Sequence, residues 1–176
     1  MGAQEIATRK PTAQELEARF LQFLSDPRFS DVGPWELNDH GDIVVSPVSG
    51  EHGRAQAMLC AELERQLGGR AWIEQAVRRA EGAPLVPDVL WSDIAFFDRN
   101  KAAGLLPAPP RLCVEVVSPS NAIDRLRRKC AIYVELGAEE AWLMEPVAKL
   151  VEVYGNAGRR DRTGLAFDFA MFWAKL

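Results

Sequence analysis

Residues 112–118, Leu112-Cys113-Val114-Glu115-Val116-Val117-Ser118, form an apolar run broken by a single carboxylate. A nearly continuous apolar run of this length predicts a strand covered on both faces, in the interior of a sheet flanked by helices. Strand alternation places Glu115 on the same face as Cys113 and Val117. A carboxylate inside such a strand is costly unless it is paired with a cation or binds a metal. A structural ion pair with an arginine would also explain it, and the strand taken alone does not choose between the two.

The segment that follows supplies a candidate cation. Residues 121–136 have helical periodicity, with Ser120 or Asn121 as the predicted cap and Gly137 as the stop. Lys129 has Leu126 at i−3, Tyr133 at i+4 and Leu136 at i+7, so it lies on or beside the apolar stripe, while Arg125 and Arg128 can point outward. A helix that directly follows a strand and packs back on the sheet can bring Lys129 to Glu115. The alternative is a lysine that snorkels past the edge of the core.

Further outward, AWLME (141–145) and LVEVYG (150–155) read as strands, with Pro146 in the turn between them. On the N-terminal side, AWIEQAV (71–77) and LWSDIAFF (90–97) read as strands, and residues 101–111, with three prolines, as a loop. Thr12 and Glu15 form a capping-box pattern for a helix over 12–25, with Leu16, Phe20, Phe23 and Leu24 on one face and Asp26-Pro27 at its end. WELNDHGDIVVSP (35–47) reads as a hairpin. Ser49-Gly50 opens a helix to about Leu67, closed by Gly68-Gly69. LAFDFAMFW (165–173) reads as a final strand. The predicted fold class is α/β (α+β), a single domain with a central mixed sheet flanked by helices. Residues 1–30 are expected to form an N-terminal helical extension, 35–154 the core and 155–176 a C-terminal strand region.

Composition narrows the function classes. The chain has 176 residues, of which 48% are hydrophobic and 26% charged, and a formal net charge of −4. These values suit a globular domain with a full core, and the charge argues against a wholly basic nucleic-acid scaffold. No apolar run approaches the length of a membrane span, and the N-terminus has no apolar secretory stretch, so a cytoplasmic protein is expected. Cys60, Cys113 and Cys130 lack metal-like spacing and read as small buried hydrophobes in a reducing compartment.

Asp88, after Pro87 at the entry to a strand, is alone no more than a turn signal. Combined with Glu115 and Lys129 it completes a hard oxygen site suited to Mg²⁺ or Mn²⁺, beside a lysine able to offset charge on a phosphorane-like transition state. His52, at a helix start and on the face of Leu59 and Leu63, could contact phosphate or tune the site, or be a hydrogen-bonded helix-terminal histidine. Glu62 reads as solvated surface, Ser118 as a helix cap and Asp124 as a first-turn carboxylate favoured by the helix dipole. Among the basic clusters, Arg125-Arg127-Arg128 adjoins the predicted site and is the best candidate for DNA phosphates. There is no nucleophile elbow and no Ser-His-Asp pattern of a small-molecule hydrolase.

Val86-Pro87-Asp88, Glu115-Val-Val-Ser118-Pro-Ser, Asp124, Arg128-Lys129, Tyr133, Gly137, Glu140-Ala-Trp142-Leu and Pro146 occur in one order that resembles the Uma2 family, also called the DUF820 group. Trp35-Glu36-Leu, Gly41-Asp42 and Gly50-Glu51-His52 resemble its first half, and Thr163-Gly164-Leu165 gives a weaker echo. The family is similar in fold to the PD-(D/E)xK restriction-endonuclease superfamily. The resemblance therefore implies a metal-dependent endonuclease acting on DNA, with Asp88 and Glu115 as ligands of Mg²⁺ or Mn²⁺ and His52 at the helix start. Val117 stands where the superfamily's simple motif has its lysine. The resemblance implies that the following helix supplies it, as Lys129. Many proteins of this fold class are homodimers, and a dimer is expected on that analogy. The rival expectation is a non-catalytic module of the same fold that binds nucleic acid or a protein partner.

Overall fold

A computed structural model describes residues 9–29, 32, 34–45, 49–118 and 122–176. Its elements in chain order are helix α1 (Ala13–Ser25), a short 3₁₀ turn (Pro27–Phe29), strands β1 (Trp35–Leu37) and β2 (Ile43–Val45), helix α2 (Gly50–Leu67), strands β3 (Arg70–Ile73) and β4 (Val89–Ser92), helix α3 (Ile94–Asn100), strand β5 (Leu112–Val116), helix α4 (Ile123–Glu135), strands β6 (Glu140–Glu145), β7 (Leu150–Gly155) and β8 (Gly158–Arg160), and helix α5 (Phe169–Trp173). β1 and β2 form an antiparallel hairpin apart from the main sheet. The other strands form a six-stranded sheet in the order β3-β4-β5-β6-β7-β8. Only β5 and β6 are parallel, joined by the crossover helix α4.

The two faces of β5 go to different layers. Val114 and Val116 pack with Ala55, Leu59 and Leu63 of α2, with Trp142 and Met144 of β6, and with Phe172 of α5. Cys113, on the opposite face, packs with Leu126, Cys130 and Tyr133 of α4. All five residues of β5 are buried, which is why its sequence is apolar on both alternating faces. The register Val89↔Val114 lies at the end of the β4–β5 ladder, and one further step sets Asp88 beside Glu115. Gly69 (φ +73) makes the tight return from α2 into β3 possible, because a Cβ there would sit 2.3 Å from the Ser92 carbonyl oxygen. α1 is joined to the rest through Leu16 and Phe20, packed with Leu37, Ala76, Ala83 and Leu105.

Several expectations hold in detail. Thr12 and Glu15 form the full capping box of α1, Ser49 caps α2, and Gly137 (φ +114) follows the end of α4. Others are corrected. LWSDIAFF is strand only as far as Ser92. The Asp93 side chain then accepts a hydrogen bond from the Phe96 N–H and starts α3. LAFDFAMFW is not a strand. Asp168 accepts from the N–H groups of Ala170 and Met171 and caps α5, whose Phe172 is buried in the core. AWIEQAV is strand only to Ile73. β8 was not expected; its residues are exposed arginines and glycine, with no apolar pattern to betray it. Ser120 and Asn121, the expected caps of α4, lie outside the described residues, and the N-cap position is Ala122. Glu62 is buried rather than solvated, bonded to Arg65, Gln66 and Lys175. Cys60 is half-buried, while Cys113 and Cys130 are fully buried.

Candidate active site

Asp88, Glu115, Lys129 and His52 all line one cavity of ≈ 680 Å³ at the end of the sheet, where α2, α4 and the β1–β2 hairpin meet. β5 carries Glu115 into this space from the face toward α4. The Asp88 Oδ2 accepts a 2.6 Å hydrogen bond from the Val116 N–H, which ties the aspartate to the same strand. Lys129 reaches down from α4 and donates to Glu115 Oε2 at 2.9 Å. The other Glu115 oxygen accepts from the Tyr133 hydroxyl at 2.6 Å. Lys129 and Tyr133 are one helical turn apart, so a single helix face grips both oxygens of the carboxylate. His52, in the first turn of α2, places Nε2 3.3 Å from Asp88 Oδ1.

The site also contains acidic and amide groups that were not expected there, although Glu36 lies in a stretch that resembles the family. Glu36 of β1 accepts from Lys129 at 2.6 Å with Oε1 and from Arg125 at 2.7 Å with Oε2. Arg125 is exposed, as expected, and also reaches back to Glu36 at the site. Lys129 also donates to the Val86 carbonyl at 2.9 Å, so its three N–H donors are all used. Gln56, buried on α2, donates to the Asp88 backbone carbonyl at 3.3 Å and to Glu74 Oε1 at 3.4 Å. Glu74 has φ +53, a left-handed conformation uncommon for a non-glycine residue, and lines the cavity. Glu36 comes from a three-residue strand 93 positions before Lys129, and no local pattern could have linked them. Asp124, in the first turn of α4, is exposed and pairs with Arg127. Ser118 is buried and also lines the cavity.

Electrostatics set the chemistry of the cavity. Burial pushes the Glu115 carboxyl up to about 8; Lys129 opposes the rise, while Asp88 and Glu36 add to it. Burial would lower the Lys129 ammonium, but Glu115 and Glu36 outweigh it and hold the lysine above its ordinary value, hence charged. The hydrogen bond to Asp88 raises His52 against the opposing effect of burial. His52 Nδ1 is buried with no hydrogen-bond partner among the described residues. Five acidic residues, Asp26, Glu36, Glu74, Asp88 and Glu115, thus line the cavity together with Lys129, Arg125 and His52. A divalent cation bound beside Glu115 would favour the ionised form of its carboxyl.

No three His, Cys, Asp or Glu side chains among the described residues are grouped to cage a metal on their own. Mg²⁺ does not require such a cage, since it keeps waters and takes one or two carboxylates together with substrate phosphate oxygens. Asp88 and Glu115, adjacent on neighbouring strands in an acid-rich cavity, fit that demand in number, hardness and charge.

The same architecture is found in a crystal structure of a "putative nuclease belonging to DUF820" from Anabaena variabilis ATCC 29413, 19% identical to this chain. The match covers 94% of this chain and 93% of that one, with a TM-score of 0.66, and it shows that the two share one mixed α/β fold. The chain belongs to the Uma2 family: the family model, described as "Putative restriction endonuclease", matches residues 19–165. No curated protein matches the chain. No helix among the described residues is long and apolar enough to cross a membrane.

Proposed function

We propose that this protein is a divalent-metal-dependent endonuclease that hydrolyses phosphodiester bonds in DNA, with Asp88 and Glu115 as the metal ligands. The observation that carries this reading is the Asp88–Glu115–Lys129 constellation in an open cavity. Family membership and the nuclease-like fold support it.

Mg²⁺ or Mn²⁺ held there would polarise the phosphodiester and activate water. The protein's own groups have separable tasks. Lys129, kept charged by Glu115 and Glu36, faces the cavity and offsets negative charge that develops at phosphorus. Tyr133 fixes the orientation of the Glu115 carboxylate. Glu36 is a positioning residue for Lys129 and Arg125, and Arg125 is placed to meet a substrate phosphate. His52 orients Asp88 through Nε2. A homodimer and a cytoplasmic location belong to the same proposal by analogy with proteins of this fold class.

The test is nicking of supercoiled plasmid by purified protein in Mg²⁺ or Mn²⁺, with Asp88→Ala and Lys129→Ala prepared in parallel. Nicking that needs the metal and is lost in both variants is the expected result. Nicking that survives both substitutions would mark a contaminant and remove the assignment. Metal-independent DNA binding without cleavage would favour the non-catalytic module.

A further inference from the structure

The cavity has a second end that metal ligation does not explain. The lining supplied by the α1 end and β1 is mostly aromatic, with Phe20, Phe23, Phe29 and Trp35, and Leu24 and Asp26 beside them. Phe20 is buried, but Phe23, Phe29 and Trp35 are only partly covered, and Leu24 is 52% exposed. The rings hold one another in place, with centroids 4.8 Å apart for Phe23–Phe29, 5.0 Å for Phe20–Trp35 and 6.2 Å for Phe23–Trp35. Trp35 is the chain neighbour of Glu36, which holds Lys129 and Arg125. An aromatic wall and a charged phosphate-handling end are therefore one residue apart on the same strand.

The volume, ≈ 680 Å³, exceeds what one hydrated ion requires. It lies within the range of roughly 300–1,000 Å³ typical of pockets for small organic ligands. A nucleotide matches both ends at once. Its base offers a flat π-face to the rings, and its phosphate supplies the oxygens that a two-carboxylate Mg²⁺ site lacks. An apolar peptide would cover the rings but bring nothing to the acid end. A base inside an intact duplex has both faces stacked and must leave the stack before it can meet an aromatic wall.

Building on the nuclease reading above, we propose that the Phe23–Phe29–Trp35 wall holds an unpaired nucleobase of the substrate strand, next to the phosphate at the acid end. The preferred substrate is then DNA with an unpaired nucleotide at the site of attack rather than continuous duplex.

The experiment measures binding without cleavage. Full-length Asp88→Asn protein is titrated into fluorescein-labelled duplexes that are fully paired, carry one unpaired base, or carry an abasic residue at that position, and anisotropy is read. The unpaired base should tighten binding about tenfold over the abasic control, as expected for base–aromatic stacking. Adding Trp35→Leu or Phe29→Leu should abolish that preference, and Trp35→Phe should keep it. Equal affinity for the base-containing and abasic duplexes would overturn the proposal, as would a preference that survives both leucine substitutions. The two readings fail separately. Wild-type protein that nicks continuous duplex with no response to an unpaired base removes the base pocket alone. Base-dependent binding by a protein that cuts nothing removes the nuclease alone.

Discussion

Lys129 Nζ lies 2.6 Å from Glu36 Oε1 and 2.9 Å from Glu115 Oε2, so one buried ammonium ties the β1–β2 hairpin to the central sheet. The pair with Glu115 is almost fully buried, at 6% and 2% side-chain exposure. Removing one partner of a buried pair leaves the other charge uncompensated and typically costs about 3–5 kcal/mol. Above about pH 8, where the Glu115 carboxyl is ionised, Lys129→Met is expected to lower stability by that amount in urea denaturation. The same substitution should cost distinctly less in a Glu115→Gln background, because the neutral amide no longer demands a cation. Equal losses in the two backgrounds would show that the pair is not energetically coupled.

The raised Glu115 carboxyl makes stability depend on pH. Its ordinary value is 4.5 and its value in the folded protein about 8. Between those values the folded protein binds a proton that the unfolded chain has released. Stability of the metal-free protein should therefore fall as pH rises from about 4.5 towards about 8 and level off above that, the opposite of the usual trend for a salt-bridged carboxylate. Chemical denaturation at a series of pH values in chelator measures this. Glu115→Gln should flatten that part of the profile, and an unchanged profile would exclude Glu115 as its source.

A second buried carboxylate, Glu140, is held by four donors. Glu140 accepts from the Trp142 indole at 2.8 Å, the Thr163 hydroxyl at 2.6 Å, the Gly164 N–H at 2.6 Å and Arg160 at 3.3 Å. It anchors the segment that leads to α5, which accounts for the outlying Thr163-Gly164-Leu165 motif. Glu140→Ala leaves the buried Trp142 indole N–H unsatisfied, at about 1–3 kcal/mol, and releases Thr163 and Gly164. Limited proteolysis should then cut after residue 155 first, while a wild-type cleavage pattern would contradict the anchoring role.

How much of this was legible depended on whether the signal was local. Glu115 stood out because a carboxylate inside an apolar strand is anomalous wherever it occurs, and Lys129 because it interrupts an apolar helical stripe. Tyr133 looked like one more stripe residue, since its hydroxyl bond to Glu115 is a tertiary contact. Glu36, Gln56 and Glu74 come from three separate segments that only the fold assembles. Two of the misread strands, LWSDIAFF and LAFDFAMFW, share one cause. Asp93 and Asp168 each cap a short helix inside an aromatic-rich run, and side-chain capping overrides the strand preference of the phenylalanines that follow. Glu62 looked like solvated surface because its partner Lys175 is 113 residues away.

In the proposed nuclease, Asp88 and Glu115 together hold a divalent cation. Electron paramagnetic resonance of Mn²⁺ tests it most directly, because free Mn²⁺ gives a sharp six-line signal that is lost on binding. Wild-type protein with a short non-cleavable oligonucleotide should quench the signal at one equivalent. Asp88→Asn and Glu115→Gln, confirmed as folded by circular dichroism, should each leave the signal largely intact. Quenching by both variants at the wild-type concentration would contradict the assignment.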